Sequence, residues 1–408
     1  MQQWSSDITS CGSRSDWLRE LDQMLPPSNN FDAQLRGIVD SMRNGEQLSR
    51  SQGIQLWNYP DLSMLAFLAN MSKRARFGEH IFFNSNLHVN TTNICTLACK
   101  FCAFRRGRRA SDAYALTIEQ YIERIEPFAD YIDEVHSVGG LHPDWDVTHY
   151  EELFSATKQR FPDIHIKSLS AVEVKNLSKI SEISVHELLS RLRASGLDSL
   201  PGGGAEILDD NVRDIICYGK ETSDEYIEIH RTAHSMGMPT NCTMLFSTIE
   251  TVEQRIEHLI KLRELQSLHS GFQCFVPYPY LPDNSRLPEA QLASANEILR
   301  TIAVSRLMLD NIPHIKAYRM NIGDRISEMA MYHGADDIDG TVGHEEIMHE
   351  AGSETNLDYS KDELARFILD SRGIPVLRNS IYTQFRIIDD DDDEHYASIR
   401  LPIAGAAR

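Results

Sequence analysis

Long apolar runs are missing from this chain of 408 residues, and none approaches the ~20 residues that a transmembrane helix needs. The opening MQQWSSDITSCGSRSDW also lacks the basic and apolar regions of a signal peptide, so a cytoplasmic location is expected. Positive charge is in deficit: the formal net charge is −20, which argues against nucleic acid or an anionic membrane surface as the main partner. A small molecule is the more natural ligand. A disulfide framework is lacking as well, because the seven cysteines are odd in number and four of them, Cys11, Cys217, Cys242 and Cys274, are scattered singly. What remains is an ordinary globular composition, 41% hydrophobic and 25% charged, long enough for one large α/β domain.

The other three cysteines, Cys95, Cys99 and Cys102, fall within eight residues in a C-x3-C-x2-C spacing, directly after the strand-like run HVNTTNI. Three thiolates can converge on one metal centre but cannot fill a four-ligand site, and zinc fails for want of a partner pair. An iron–sulfur cube that only carries electrons takes four protein ligands. A cube held by three leaves one iron open to a substrate or cofactor.

Strand-like runs are read near 88–94, 132–138, 165–170, 197–200, 239–246, 272–277, 314–318 and, weakly, 336–341. Amphipathic patterns at 117–129, 148–160, 184–195, 223–236, 251–268, 288–310 and 322–333 separate them. Eight strands alternating with helices predict a (β/α)8 barrel of the TIM type. The expected organisation is a loosely attached polar extension over 1–30, a helical region over 31–86 that caps one barrel end, the barrel over 87–342, a C-terminal region over 343–385 packed on it, and an acidic tail over 386–408. The five aspartates of 389–393 read as a solvated block.

In such a barrel the site lies where the strands run out. Gly139 and Gly140 end the second strand, either to let backbone approach a ligand or as a plain turn. The third strand ends in SLSAVEV, where Ser170 and Glu173 stand at the opening. Glu173 can accept from ribose hydroxyls or an amino group, act as an acid or base, or belong to the N-cap of the next helix. The fourth ends in Gly202, Gly203 and Gly204, which match neither G-x-G-x-x-G nor a phosphate loop and suggest close packing against a bulky ligand. Thr243, Met244, Gln273, Tyr278 and Tyr280 line a pocket or fill the core, and His165, Lys167, Arg213 and Arg319 are available to neutralise a carboxylate.

The cysteine spacing, with Phe104 following, resembles the radical S-adenosylmethionine (radical SAM) superfamily. That resemblance implies a [4Fe-4S] cluster on Cys95, Cys99 and Cys102, with SAM on the open iron. It also implies Phe101 and Phe104 beside the adenosyl group, Gly139 and Gly140 at the methionine amino group, and Ser170 or Glu173 at the ribose. NTTNICTLACKFCAF, VGGLHPDW, GLDSLPGGGAEIL, IHRTAH and GMPTNCTMLF look more narrowly like the group of aminofutalosine synthases, cyclic dehypoxanthinyl futalosine synthases and the tyrosine-using subunit of deazaflavin (FO) synthase. KSLSAVEV and the unbroken GGG resemble the first of these. The implied activity is that of a transferase of menaquinone biosynthesis: the 5′-deoxyadenosyl radical adds to 3-[(1-carboxyvinyl)oxy]benzoate, giving 6-amino-6-deoxyfutalosine. SAM is then a co-substrate, and a reductant such as flavodoxin or ferredoxin is the implied protein partner. The sister activities are the alternatives within the group, and an electron-transfer protein without catalysis is the alternative outside it. Two segments depart from the group's pattern. Ser247 and Thr248 replace an expected glycine and histidine, and CFVPYPY replaces F-I-P-L-x-F; both are expected to touch substrate.

Overall fold

The computed structural model describes residues 4–6, 8, 14–290, 292–357 and 359–388. Its centre is a ring of parallel strands: β2 (Asn86–His88), β3 (Glu134–Ser137), β4 (His165–Ser168), β5 (Thr240–Phe246), β6 (Phe272–Pro279), β7 (His314–Ala317) and β8 (Asp337–Ile338). Between β4 and β5 the wall narrows to two single bridges, Lys167 with Ser199 and Leu200 with Thr240, which stand where the fourth strand is expected. The ring closes where the His88 N–H donates to the Val342 carbonyl at 2.9 Å and the Asn86 N–H to Thr341 Oγ1 at 3.0 Å. Before the ring, β1 (His80–Phe83) pairs in parallel with both β8 and β9 (Ile374–Arg378), and β9 pairs antiparallel with β10 (Phe385–Ile387), so a small sheet leaves the barrel at this point. Apolar residues such as Val135 and Ile166 alternate with the inward polar ones and are fully buried.

Helix starts follow the capping chemistry of the sequence. Thr117, Thr222, Thr251 and Ser360 each form a reciprocal capping box with a Gln or Glu three residues on, opening helices Ile118–Ile125, Ser223–Ser235, Val252–Leu268 and Lys361–Asp370.

Several expectations are corrected. The first ring strand lies at 86–88, ahead of the expected 88–94, because beyond it the backbone turns from the ring to the loops that follow, Thr92 bridging Ala115 and Ile94 bridging Arg106. Side chains tie the same segment down: Asn90 Nδ2 donates to Val138 O, Thr92 Oγ1 to Tyr114 O and Asn93 Nδ2 to Asp112 O. Within 1–30 the helix Arg14–Met24 is not loosely attached, since Trp17 and Leu21 are buried against helix Leu62–Phe77 and the Arg76 guanidinium lies 3.8 Å from the Trp17 ring. Helices Arg50–Asn58 and Leu62–Phe77 pack along the outer helices Val252–Leu268 and Ala295–Met308, where a cap over a barrel end is expected. The expected helix 288–310 starts only at Ala295, and 322–333 starts at Arg319 and breaks at Gly323, whose φ is 75°. Three helices, Ala171–Ile180, Asp210–Ile216 and the short Ile347–Glu350, are additional. β10 crosses the expected boundary at 385/386, and the aspartate block lies outside the described residues. No helix among the described residues is long and apolar enough to cross a membrane.

Candidate active site

A cavity of about 290 Å³ opens at the C-terminal ends of the ring strands. Its mouth includes Phe101 and Cys102 from the cysteine loop, Gly139, Ser170 and Gly203 from later rims, and Lys220. The loop is held by its backbone: the Cys95 N–H donates to Arg106 O at 3.1 Å, Arg106 N–H to Asn93 O at 2.7 Å, and Lys100 N–H to Ile216 O at 2.7 Å. Cys99 is buried, while Cys95 and Cys102 are partly exposed. Burial pushes the Cys99 and Cys102 thiols up, and the nearby Lys220 ammonium works against that shift. Lys220 is paired with Glu206 and lies 5.8 Å from the Phe101 ring centre. Burial alone would lower Lys220, but Glu206 and Glu221 hold it firmly protonated.

The glycine pair is explained by chain-to-chain approach. A Cβ on Gly140 would sit 2.3 Å from the Ile94 carbonyl oxygen, and one on Gly139 would sit 2.6 Å from Thr91 Oγ1. These glycines let the second strand end press against the start of the cysteine loop; Gly139 also faces the cavity. The three later glycines divide in role. Gly202 abuts the Cys242 backbone, Gly204 has φ +107°, and Gly203 alone meets nothing closer than 3.4 Å.

Glu173 lies behind the wall. Its Oε1 accepts from the Gly139 N–H at 3.0 Å, and its Oε2 accepts from the Ser170 N–H at 2.7 Å and the Ser170 hydroxyl at 2.5 Å. Burial raises its carboxyl to about 7 against these hydrogen bonds. Of the expected aromatic pair, Phe101 faces the cavity, whereas Phe104 is buried edge-on to Tyr114. Thr243, Tyr278 and Tyr280 face the cavity; Met244 is core, and Gln273 donates to Ile381 O. Among the four expected cations only Lys167 lines it. Arg213 instead bridges the Gly204 and Glu221 carbonyls, Arg319 is taken up by Asp324 and Asn356 O, and His165 bonds to Ser199.

The floor was not anticipated. His88 and His136 stack with ring centres 4.5 Å apart, and burial lowers them to about 3 and about 4, so both are neutral. Lys167 is paired with Glu134 at 2.7 Å, Lys316 donates to Ile338 O at 2.8 Å and is paired with Asp337, and Arg378, which reaches in from β9, is paired with the same Asp337 at 2.6 Å. The recurring triplets EVH, HIK and HIK of β3, β4 and β7 carry a signal for this: an apolar residue facing the helices, then a cationic or imidazole side chain facing the axis. Ser247 and Thr248 do not touch the cavity. They bond to Glu250 and Glu297 beneath helix Val252–Leu268, and Ser247 has φ 64°, the conformation for which a glycine is expected. The CFVPYPY departure does reach the cavity, through Tyr278, Pro279 and Tyr280.

Residues 89–262 match the family model described as the radical SAM superfamily, and residues 269–391 match the CofH/MqnC C-terminal region. The aminodeoxyfutalosine synthase of Thermus thermophilus is 37% identical over 363 residues, covering 88% of this chain and 98% of the relative. The chain belongs to the radical SAM superfamily. A second relative, the 5-amino-6-(D-ribitylamino)uracil–L-tyrosine 4-hydroxyphenyl transferase of Methanothermobacter thermautotrophicus, is 37% identical over 330 residues, covering 79% of this chain and 90% of the relative. Methylornithine synthase superposes with a TM-score of 0.68 at 18% identity over 83% of this chain and 97% of its own, which is a likeness of fold.

Radical SAM proteins carry a [4Fe-4S] cluster and SAM, and the residues present fit such a cluster. The three cysteines are unpaired thiols, and a buried thiol that resists ionisation alone ionises when metal supplies the charge. Among the described residues, no three His, Cys, Asp or Glu side chains gather around a point where a single ion would sit.

Proposed function

We propose that the chain catalyses the reaction of aminodeoxyfutalosine synthases, joining the 5′-deoxyadenosyl group of SAM to 3-[(1-carboxyvinyl)oxy]benzoate, with release of methionine and loss of one carboxylate carbon of the ether to give 6-amino-6-deoxyfutalosine. The observation that carries this reading is one cavity with a thiol loop at its mouth and cations from three strands, Lys167, Lys316 and Arg378, at its floor. Each of these cations is ion-paired, Lys167 with Glu134 and both Lys316 and Arg378 with Asp337, so a dianionic aryl ether would share their N–H donors with those carboxylates. A [4Fe-4S] cluster on Cys95, Cys99 and Cys102 would supply the electron that splits SAM into methionine and the adenosyl radical. The protein's own residues bind, orient and exclude water. Phe101 and Gly203, which line the cavity, are assigned to the adenosyl group, and the Ser170 hydroxyl to its ribose. The neutral His88–His136 stack and the perpendicular Tyr278–Tyr318 pair, 5.3 Å apart, offer faces to the benzoate ring while the floor cations take its carboxylates. Glu173 is assigned to positioning, because both of its oxygens are engaged in holding Gly139 and Ser170. A cytoplasmic location belongs to this proposal, supported by the free thiols.

Anaerobically reconstituted protein, SAM, a reductant and the aryl enol ether, read by mass spectrometry, test the reading. An adduct carrying the adenosyl group supports it; free 5′-deoxyadenosine with unchanged ether would sink it. Tyrosine transfer is the second reading, favoured by the equal identity of the methanogen relative. Release of 5′-deoxyadenosine dependent on tyrosine would establish that one instead.

A further inference from the structure

We propose that the outer face of the cysteine loop is the docking surface for a small acidic one-electron carrier protein. This rests on the cluster reading above. From His80 to Ser111 the chain has no aspartate or glutamate, although the whole molecule carries 60 acidic against 40 basic residues. Within that stretch, between Cys95 and Ala110, lie Lys100, Arg105, Arg106, Arg108 and Arg109. Arg106 is turned inward, onto the Ala103 carbonyl and Glu350, and Arg108 pairs with Asp144 at the surface. Positive charge in this acidic molecule is therefore concentrated around the thiols.

The same loop adjoins an exposed apolar spot. The Lys100 N–H bonds to Ile216 O, and a Cβ on Gly219 would stand 3.4 Å from Leu97, so the loop lies against the end of helix Asp210–Ile216. There Ile215 is 49% exposed and Tyr218 is 81% exposed, the most exposed large hydrophobic side chain of the described residues. On the other side, the exposed Arg286 donates to the Ala98 and Cys99 carbonyls at 2.9 and 3.1 Å. An aromatic and an aliphatic side chain thus stand beside Lys100 and Arg286, with the Cys99 backbone directly beneath. Two carboxylates share the helix, Asp214 beside Ile215 and Asp210 in the first turn, the latter after the N-cap Asp209.

An exposed tyrosine with cations beside it has the composition of a binding hot spot, and the charge would steer an acidic partner to it. A carrier seated here approaches the thiols at the point where their loop meets the surface. It gives up one electron and is oxidised by one, and the cluster is reduced by one; no bond forms or breaks and no proton moves.

The holoenzyme is mixed anaerobically with fully reduced flavodoxin or with dithionite, and cluster reduction is followed by absorbance. Ile215→Glu/Tyr218→Glu and, separately, Lys100→Glu are expected to slow reduction by flavodoxin more than tenfold at low salt, while the dithionite rate stays within twofold. Raising the salt should slow the unmodified enzyme with flavodoxin only. Equal slowing with both reductants, or slowing with neither, overturns the proposal. So does a dimer of the unmodified chain that Tyr218→Glu dissociates, since a second copy would then cover this face. If dithionite finds no reducible cluster in the unmodified protein, the cluster reading itself fails and this inference falls with it.

Discussion

The two ends of the barrel bury polar groups in opposite ways. At the N-terminal ends of β7 and β8, Asp336 accepts from the Arg306 guanidinium, from His314 Nδ1 at 2.5 Å and from the Ile315 N–H at 2.9 Å, and Arg306 also donates to Gly334 O and Pro313 O. Burial alone would raise the Asp336 carboxyl; Arg306 and His314 hold it below its usual range. In the cavity, Asn90 beyond the end of β2, Asn321 beyond the end of β7 and Asn241 near the start of β5 present buried side-chain oxygens that have no hydrogen-bond partner. A closed network fixes structure, whereas open acceptors mark where ligand donors are to arrive. The contrast separates the end that stabilises from the end that works.

Four measurements would break or sharpen that contrast. Cys99→Ala, at the working end, should abolish iron binding and turnover while circular dichroism and the unfolding midpoint are retained; surviving turnover would contradict the assignment. Asp336→Ala, at the stabilising end, leaves Arg306 buried and unpaired and should cost about 3–5 kcal/mol in urea unfolding, with activity per folded molecule unchanged. Glu173 comes next. Its folded carboxyl titrates at about 7 against an ordinary 4.5, so between those values the folded state binds more protons than the unfolded chain. Stability should therefore fall as pH rises through that window, by at most about 1.4 kcal/mol per unit, and Glu173→Gln should flatten the slope. The smallest effect belongs to Asn241→Ala. It should leave stability within about 0.5 kcal/mol yet raise KM for SAM or the aryl ether several-fold, and a loss of stability without a KM change would place Asn241 with the structural groups.

The barrel was legible because its signals are periodic: strand runs such as IDEVHSV and HIKAY sit between helices opened by Thr or Ser caps. The mouth was legible because thiols at fixed spacing have few other uses. The floor was not, because His136, Lys167 and Lys316 are single polar residues in short strands, and only the triplets EVH, HIK and HIK taken together mark which side chain faces the axis. Ser247 and Thr248 misled for a related reason. A rim position identifies a strand end, but φ 64° at Ser247 turns these side chains toward Glu250 and Glu297, away from the cavity. The fourth strand, reduced to Ser199 and Leu200, is close to the least that a period-two pattern can reveal.

The small sheet that leaves the ring at β1 has a consequence for synthesis. Arg378, on β9, donates to Asp337 at 2.6 Å and forms part of the cavity floor, and β9 is held in place by β10. A nascent chain that has emerged as far as residue 342 carries every ring strand and the whole thiol loop but lacks this arginine. On the ribosome the cavity is therefore closed last, by residues translated more than 270 positions after the cysteines. Iron loaded before that moment would sit at the mouth of a pocket whose base is still open to water.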